Sequence, residues 1–290
     1  KSYLLDPIFI DYLKSIGVGN DHIIKLELDR EKNKKYRNPE ILDEYLHSLL
    51  KDNDMYYIIL DEIQLVEGFE GVLNGLLYEN NVDVYVTGSN SKFLSTDIIT
   101  EFRGRGEEIR IYPLSFYEFM SVYRGDKFDG WLEYITYGGL PLVVSMNNDE
   151  RKMAYLNEQQ RNVYINDVIE RNDIKNDTEL INLVEIISSS IGSLSNPKKL
   201  SDTFKSAASS NIGPQTISSY LKYLEEAFLI EKAERYDVKG KKYISTPYKF
   251  YFSDLGLRNS FINFRQTEET HIMENVVYLE LKRRGYNIDV

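Results

Sequence analysis

The sequence predicts an α/β fold in which a parallel sheet carries helices on both faces and a mostly helical part follows. One apolar run and one mainly apolar segment carry this prediction. Tyr56–Leu60 ends abruptly in Asp61 and Glu62, and Val82–Val86 ends in small polar residues. A continuous apolar strand indicates that both faces of its sheet are covered. Amphipathic helices alternate with these runs, as in a parallel, doubly wound sheet.

The elements of this sheet domain follow from apolar spacing and from turn residues. Residues 17–20 (Gly-Val-Gly-Asn) end the first helix, and Pro39 suits the first turn of the second. The segment Arg30 to Asn38 is a charged loop. The predicted order is a helix over 3–16, a strand over 22–28, a helix over 39–50, a strand ending at 61, a helix over 69–79, a strand over 82–90 and an edge strand over 109–114.

The remainder is predicted as helices over 115–123, 131–137 and 150–170, with a breaker at 138–141 (Gly-Gly-Leu-Pro). Helices over 179–191, 197–208 and 215–228 then precede short strands over 229–235 and 242–244. Three helices and a hairpin are the order of a winged helix-turn-helix. A last helix over 268–284 stops at Gly285, and a new strand begins. The predicted domains are 1–114, a helical lid or linker over 115–178, a winged helix over 179–262 and a further region from 263.

Composition narrows the class of protein. The 290 residues are 42% hydrophobic and 28% charged and contain no cysteine, which excludes disulfides and thiolate metal sites and fits a cytoplasmic protein without a membrane span. The three histidines lack the spacing of metal ligands. Because the net charge is −11, contact with DNA would need a local basic patch. The chain has no initiator Met and stops inside an apolar–polar pattern, so we expect a piece of a longer protein.

Asp61 and Glu62 lie at the carboxyl end of a predicted strand, where open α/β sheets bind ligands. One acid can hold Mg²⁺ through water and the next can orient a water for attack on a phosphate. The alternative is a strand end with two solvated acids. Lys1-Ser2 before the first helix matches only the last two residues of Gly-x-x-x-x-Gly-Lys-Ser/Thr, whose Lys binds phosphates and whose Ser binds Mg²⁺. For Lys1-Ser2 the alternative to a phosphate-binding loop is an ordinary N-terminal Lys-Ser.

Two later segments could complete a phosphate site. The small polar residues over 87–91 (Thr-Gly-Ser-Asn-Ser), at the end of the neighbouring strand, can sense a γ-phosphate or hold the attacking water, or they form an ordinary turn. Arg103 and Arg105 lie in a Gly-rich stretch and can stabilise a transferring phosphoryl group, or they are solvated loop arginines.

Several strings together resemble a known family. They are residues 1–5 (KSYLL), 57–64 (YIILDEIQ), 84–91 (VYVTGSNS), 102–105 (FRGR), 112–119 (YPLSFYEF), 137–141 (YGGLP) and 167–171 (DVIER). This set is similar to the AAA+ ATPases of archaea and bacteria whose C-terminal half is the domain of unknown function DUF4143. The resemblance covers essentially the whole chain.

The resemblance implies a P-loop NTPase-type sheet that binds and hydrolyses ATP with Mg²⁺. It makes Lys1 the Walker A lysine, Ser2 a Mg²⁺ ligand, Asp61 the Walker B metal acid and Glu62 the acid that positions water. Asn90, or Ser89 beside it, would be the sensor, and Arg105 or Arg103 the sensor or finger arginine. The glycines of the phosphate loop are not in this sequence, and without them ATP would be held weakly.

The third helix and the hairpin of the winged-helix region carry the candidate DNA contacts. Polar residues at the helix start could meet base edges or phosphates, and residues 232–242 hold five basic residues against two acids. The alternative is a protein-binding module with a lysine-protected edge. The candidates are Gln215, Thr216, Ser218, Lys222, Lys239, Lys241 and Lys242.

The last helix resembles the opening of a PD-(D/E)xK nuclease-like region, with Glu274 and Glu280 as early acids. The sequence stops before an Asp…Glu-x-Lys strand pair, so it supports no nuclease site. A plain amphipathic helix is the alternative.

The leading functional hypothesis is an ATP-dependent switch, in which hydrolysis reorients a winged-helix module that engages DNA, a protein partner or a second copy of the chain. The alternative is a non-enzymatic DNA-binding regulator with a vestigial ATPase domain. A third is a nuclease-linked defence or mobile-element protein, which needs residues after Val290.

Overall fold

The computed structural model describes residues 2–88, 102, 105–207, 212–235, 247–265 and 269–290. The chain divides into two units, Lys1–Ile111 and Tyr112–Val290. Each unit contains a buried apolar cluster of its own, so each is described by itself. Among the described helices, none combines the length and the apolar character needed to cross a membrane.

The N-terminal unit is built on a parallel sheet of three strands in chain order, β1–β2–β3. The strands are β1 (Ile23–Glu27), β2 (Tyr56–Asp61) and β3 (Val82–Val86). The helical elements are a π-helical segment at Leu4–Phe9, α1 (Ile10–Ser15), α2 (Pro39–Leu49) and α3 (Phe69–Leu76), with 3-10 turns at Asn20–His22, Glu31–Arg37 and Ile63–Leu65. The predicted helix–strand alternation is confirmed.

The two faces of this sheet differ in chemistry because alternate residues of a strand point to opposite sides. One face is apolar: Ile24, Ile58 and Leu60 pack with residues of α2 and α3 in a single buried cluster. The other face carries Lys25, Glu27 and Asp61, together with Ile59 and Tyr85. The first helical segment contacts this second face, where the rings of Phe9 and Tyr85 lie 4.5 Å apart.

The predicted edge strand over 109–114 is wrong. The structure assigns no strand there, and Ile109 and Ile111 are exposed. The end of this segment uses its backbone groups in the C-terminal unit instead. Pro113 has no N–H to donate, and its carbonyl accepts from Arg283 Nη2 at 2.7 Å. Leu114 N donates to Gly139 O at 2.8 Å.

The C-terminal unit consists of helices and one small antiparallel sheet. Its helices are α4 (Phe116–Val122), α5 (Lys127–Tyr137), α6 (Pro141–Val144), α7 (Asp149–Glu158), α8 (Asn166–Arg171), α9 (Asp177–Ser189), α10 (Pro197–Ala207), α11 (Pro214–Glu226), α12 (Leu255–Phe261) and α13 (Glu269–Arg283). A π-helical segment at Gln159–Ile165 joins α7 to α8. The sheet is β4 (Ile230–Ala233) paired with β5 (Lys249–Phe252).

The first strand of the predicted hairpin is present as β4, and the second, expected over 242–244, lies outside the described residues. The strand that pairs with β4 in the structure is β5. Ser195 forms a further antiparallel bridge with Tyr248, through hydrogen bonds of 2.8 and 2.9 Å. A one-residue bridge carries too little periodicity to be recognised in sequence.

The expected strand after Gly285 is also wrong. Residues 286–290 form no strand, although Val290 N donates to Glu234 O at 2.8 Å. Ile288 and Val290 pack against a small cluster that contains Tyr251 and Tyr278. The apolar–polar alternation here therefore reflects packing against β5 and α13 rather than a ladder.

Asp254 is a buried carboxylate that joins two distant parts of the C-terminal unit. Its Oδ1 caps α12 by accepting from Leu257 N at 3.0 Å, and its Oδ2 accepts from Gly139 N at 2.7 Å. Burial raises the pKa of Asp254 above its ordinary value, although the backbone hydrogen bonds act in the opposite direction. The Gly138-Gly139 breaker is thus a docking point for the start of α12.

The Glu225 carboxyl predicts a pH-dependent stability. Burial raises its pKa from 4.5 to about 7, and the neighbouring acids Glu231, Glu226 and Glu234 add to the rise while Lys232 opposes it. Because the pKa of Glu225 is higher in the folded state than in the unfolded chain, its contribution to the free energy of unfolding is complete below pH 4.5 and is lost as the pH rises to about 7. We therefore expect Glu225→Gln to stabilise the protein at pH 8, by about 1–2 kcal/mol after solvent screening, and to have little effect at pH 4.5.

The measurement is urea unfolding at both pH values, followed by fluorescence of the single tryptophan, Trp131, which lies in this unit. Glu185→Gln, at an exposed position on α9, is the charge control. A stabilisation of equal size at pH 4.5 and pH 8 would contradict the assignment to Glu225 ionisation.

Candidate functional site

Three side chains from separate parts of the N-terminal unit meet at the carboxyl edge of the sheet. Ser2 Oγ donates to Asp61 Oδ1 at 3.0 Å, and Thr87 Oγ1 donates to the same oxygen. Asp61 is the last residue of β2, and Thr87, which is buried, directly follows β3. The parallel register brings them together, because Leu60 pairs with Val86 one residue earlier. Ser2 and Asp61, which the resemblance assigns to one Mg²⁺ site, are therefore in direct contact.

Glu62 leaves the strand in an unusual backbone conformation. Its φ and ψ are 57° and 46°, the left-handed region that side chains other than glycine seldom adopt. The conformation is held by a hydrogen bond from Glu62 N to Thr87 Oγ1 at 3.2 Å and by Gln64 Nε2, which donates to Glu62 Oε2. Such residues cluster at functional sites, since surrounding contacts must compensate the strain.

The donor set at this edge fits Mg²⁺. Mg²⁺ prefers oxygen ligands and is commonly bound by one or two carboxylates together with waters and substrate phosphates. Ser2 and Asp61 supply a hydroxyl and a carboxylate already in contact with each other. The Thr87 hydroxyl, which follows the neighbouring strand β3, donates a hydrogen bond to the same carboxylate and so orients it. Ser2 and Asp61 are the residues that would hold the ion.

The remaining predicted phosphate-site residues are placed as follows. The guanidinium of Arg105 lies 5.3 Å from the centre of the Tyr78 ring, and Arg105 N donates to Phe102 O at 2.9 Å. These contacts join Arg105 to its own loop and to the turn that follows α3, and they involve none of Ser2, Asp61 and Thr87. Lys1, Ser89, Asn90 and Arg103 lie outside the described residues, so their roles stay predictions.

The candidate DNA-contact residues that the structure describes are all exposed on α11. They are Gln215, Thr216, Ser218 and Lys222. Lys222 lies 3.6 Å from Glu226, one turn further along the helix. The opposite side of α11 is apolar and buried through Ile217, Leu221 and Leu224. Lys239, Lys241 and Lys242 lie outside the described residues.

Glu274, one of the acids considered for a nuclease-like region, is engaged in an ion-pair network between α13 and β5. It accepts from Lys249 Nζ and, at 2.8 Å, from Tyr251 Oη. Burial acts to raise the pKa of Glu274, but the hydrogen bonds from Lys249 and Tyr251 outweigh it and lower this pKa below its ordinary value. This arrangement anchors the last helix to the sheet. The other acid, Glu280, pairs with Arg284 at 2.7 Å.

One histidine has acidic neighbours that its sequence context did not predict. His22 Nε2 lies 3.1 Å from Asp52 Oδ1, and with Asp54 these residues bring three possible ligand atoms within 4.8 Å of one another. The hydrogen bond to Asp52 raises the pKa of His22. Both acids are exposed, and a surface His–Asp pair accounts for the geometry.

Two contacts at this edge of the sheet are not predicted from the sequence. The polar strand end over 87–91 is expected to face a phosphate, but the hydrogen bond of Thr87 to Asp61 is not expected. Glu27 lies inside the predicted strand over 22–28, and it is the direct register partner of Asp61 in the parallel sheet. The available signal was strand alignment: polar residues at the ends of adjacent parallel strands fall at one edge.

Comparison with known proteins defines the class. The model of a family described as "AAA domain" matches residues 1–120, and that of a domain of unknown function, DUF8612, matches residues 129–268. The DUF4143 assignment is not shown by these matches. The N-terminal part is accordingly an AAA+ (P-loop) ATPase-like domain.

The chain belongs to the same family as an uncharacterized protein of Haemophilus influenzae, and the AAA domain match is confined to the chain's first 120 residues. The two are 35% identical over 298 residues, which cover 100% of this chain and 73% of the relative. An uncharacterized protein of Methanocaldococcus jannaschii is 28% identical over 302 residues, covering 99% of this chain and 65% of that protein. The chain thus spans about two thirds to three quarters of the length of these relatives.

A solved structure, the Aeropyrum pernix ORC1 protein in complex with DNA, aligns with 98% of this chain and 84% of its own at 11% identity. The TM-score is 0.33, which is too low to support an argument about fold or function.

Proposed function

We propose that this protein binds ATP with Mg²⁺, hydrolyses it, and couples the reaction to its C-terminal part. The observation that carries the proposal is the meeting of Ser2, Asp61 and Thr87 at one edge of the parallel sheet. The AAA domain match over residues 1–120 supports nucleotide binding by the same part of the chain.

Each residue has a role that follows from its chemistry. Ser2 and Asp61 hold Mg²⁺, and Lys1 contacts the β- and γ-phosphates. Bound Mg²⁺ supplies charge neutralisation on the phosphate oxygens. Glu62 orients a water for in-line attack on the γ-phosphate and accepts its proton. Asn90 or Ser89 senses the γ-phosphate, and Arg105 or Arg103 stabilises the transferring group.

For the C-terminal part we propose a winged helix-turn-helix over residues 179–262, after a helical lid or linker over 115–178 and before a further region from 263. The order of α9, α10, α11, β4 and β5 supports this, as does the one-residue bridge of Ser195 to Tyr248 beside the two-stranded sheet. In that arrangement α11 is the recognition helix. Its exposed face offers Gln215, Thr216, Ser218 and Lys222 to DNA, and the hairpin lysines Lys239, Lys241 and Lys242 would meet phosphates.

ATP turnover by the full-length protein tests this function. We expect hydrolysis that depends on Mg²⁺ and that EDTA abolishes. Asp61→Asn should lower the turnover rate by about 10-fold or more, and duplex DNA should change the turnover rate of the wild-type protein. Asp83→Asn, at an exposed strand acid of the same unit, is the matched control. Turnover that ignores Mg²⁺ or survives Asp61→Asn would refute the site. If DNA binds without any effect of ATP, the non-enzymatic regulator would be favoured.

A further inference from the structure

The first helical segment contacts all three strands on the polar face of the sheet. Ser2 bonds Asp61 of β2, Asp6 accepts from Lys25 of β1, and Phe9 packs on Tyr85 of β3. These contacts position the N-terminal segment across the sheet. Ser2 is one of the two proposed Mg²⁺ ligands, so its place relative to Asp61 depends on how this segment is held.

The segment is not a continuous helix. Asp6, with φ −139° and ψ 114°, has an extended backbone inside the helical stretch Leu4–Phe9. The position of Ser2 is therefore not fixed relative to α1 by one continuous helix. The side chain of Asp6 lies at this interruption, where it contacts the sheet directly through Lys25.

Lys25 is a charged residue in the middle of a strand that faces a covering helix. Its side chain is 26% exposed and that of Asp6 is 38% exposed. Lys25 Nζ also lies 2.9 Å from Glu27 Oε1, and Glu27 accepts from Arg30 Nη2 at 2.9 Å. Burial acts to lower the pKa of Lys25, but its hydrogen bonds with Asp6 and Glu27 outweigh this effect and raise the pKa.

A partly buried ion pair contributes little net stability compared with apolar packing, and its best-attested use is to fix a register. The network from Asp6 through Lys25 to Glu27 ends beside Asp61, the register partner of Glu27. The same charges thus connect the segment that carries Ser2 with the strand edge that carries the second Mg²⁺ ligand.

We propose that the Asp6–Lys25 ion pair is a positioning device for the phosphate site, which holds Ser2 at the distance from Asp61 that Mg²⁺ binding requires. The inference rests on the proposed function. Asp6 and Lys25 act through Ser2 and need not touch nucleotide or metal. Their loss should weaken Mg²⁺ binding and leave the chemical step unchanged.

The test measures Mg²⁺-dependent binding of a labelled ATP by the full-length protein across a Mg²⁺ titration, and ATP turnover over the same titration at saturating ATP. We expect Asp6→Asn and Lys25→Met each to raise the half-saturating Mg²⁺ concentration by about 10-fold, with kcat at high Mg²⁺ within about twofold of wild type. The double variant should lose no more than either single one, because both remove the same contact. Asp11→Asn removes an exposed acid of α1 and is the matched control.

Thermal unfolding separates positioning from general loss of structure. Asp6→Glu keeps the charge and should retain a Mg²⁺ requirement near that of wild type. If Asp6→Asn does not fold, Lys25→Met and Asp6→Glu decide the outcome. Unchanged Mg²⁺ dependence in Lys25→Met, or additive effects in the double variant, would overturn the inference. Wild-type protein without Mg²⁺-dependent nucleotide binding would instead refute the proposed function.

Discussion

Glu62→Gln should lower ATP turnover by about 100-fold or more while nucleotide binding persists. A positioned general base contributes roughly 100- to 10,000-fold to a rate, and glutamine retains the size of glutamate but cannot accept the proton. The left-handed backbone of Glu62 is held by Thr87 Oγ1, and glutamine makes no demand for a different backbone. Binding is measured by Mg²⁺-dependent fluorescence of a labelled ATP, and turnover by phosphate release.

The control for this substitution is Glu67→Gln, an exposed acid that follows the same strand. It removes an equal charge close to the site and should leave turnover within about twofold of wild type, since exposed charges are strongly screened. Full turnover in Glu62→Gln would remove Glu62 from the mechanism. Loss of binding together with turnover would assign it to holding the metal rather than to activating water.

Gly256→Ala should destabilise the C-terminal unit by about 3 kcal/mol, the upper part of the range for overpacking a buried site. A Cβ at this position would lie 2.0 Å from the backbone oxygen of Tyr137, and backbone atoms cannot rotate aside as a side chain can. Relief would require moving the start of α12 away from Tyr137, which would stretch the hydrogen bond from Gly139 N to Asp254.

Gly213→Ala is the matched control, because a Cβ there would meet nothing within 4 Å. Its φ of −77° also suits alanine, so we expect a loss below about 1 kcal/mol, which reflects the weaker N-cap. Urea unfolding followed at Trp131 reports on the unit that contains both glycines. Equal stability of the two variants would show that the contact between α12 and residue 137 can relax freely.

The elements of the N-terminal unit could be predicted from sequence because their patterns are local. Tyr56–Leu60 is an apolar run that ends in Asp61, Val82–Val86 is mainly apolar and leads into polar residues, and Pro39 marks the start of α2. The edge strand over 109–114 failed because strand propensity does not supply a ladder partner. The backbone of Pro113 and Leu114 was already used by Arg283 and Gly139.

The candidate site was predictable only in part, for the same reason. Asp61 and Glu62 are adjacent in sequence and directly follow an apolar run, so the sequence alone predicts them at a strand end. Thr87 became a partner of Asp61 only through the register of β2 with β3, which sequence spacing does not give. Lys25 lies in a segment predicted as an apolar strand. Its pairing with Asp6 depends on which face of the sheet the first helical segment covers.

The sequence by itself determined the α/β character of the N-terminal unit with its parallel sheet, the order of the three strands and the helices between them, and the acids at the end of β2. Periodicity and turn chemistry carry that information in a few neighbouring residues. Only the tertiary structure decided that Ser2, Asp61 and Thr87 meet, and that Asp254 joins α12 to Gly139. Those contacts join residues far apart in the chain, so they exist only once the strands have paired and the helices have packed.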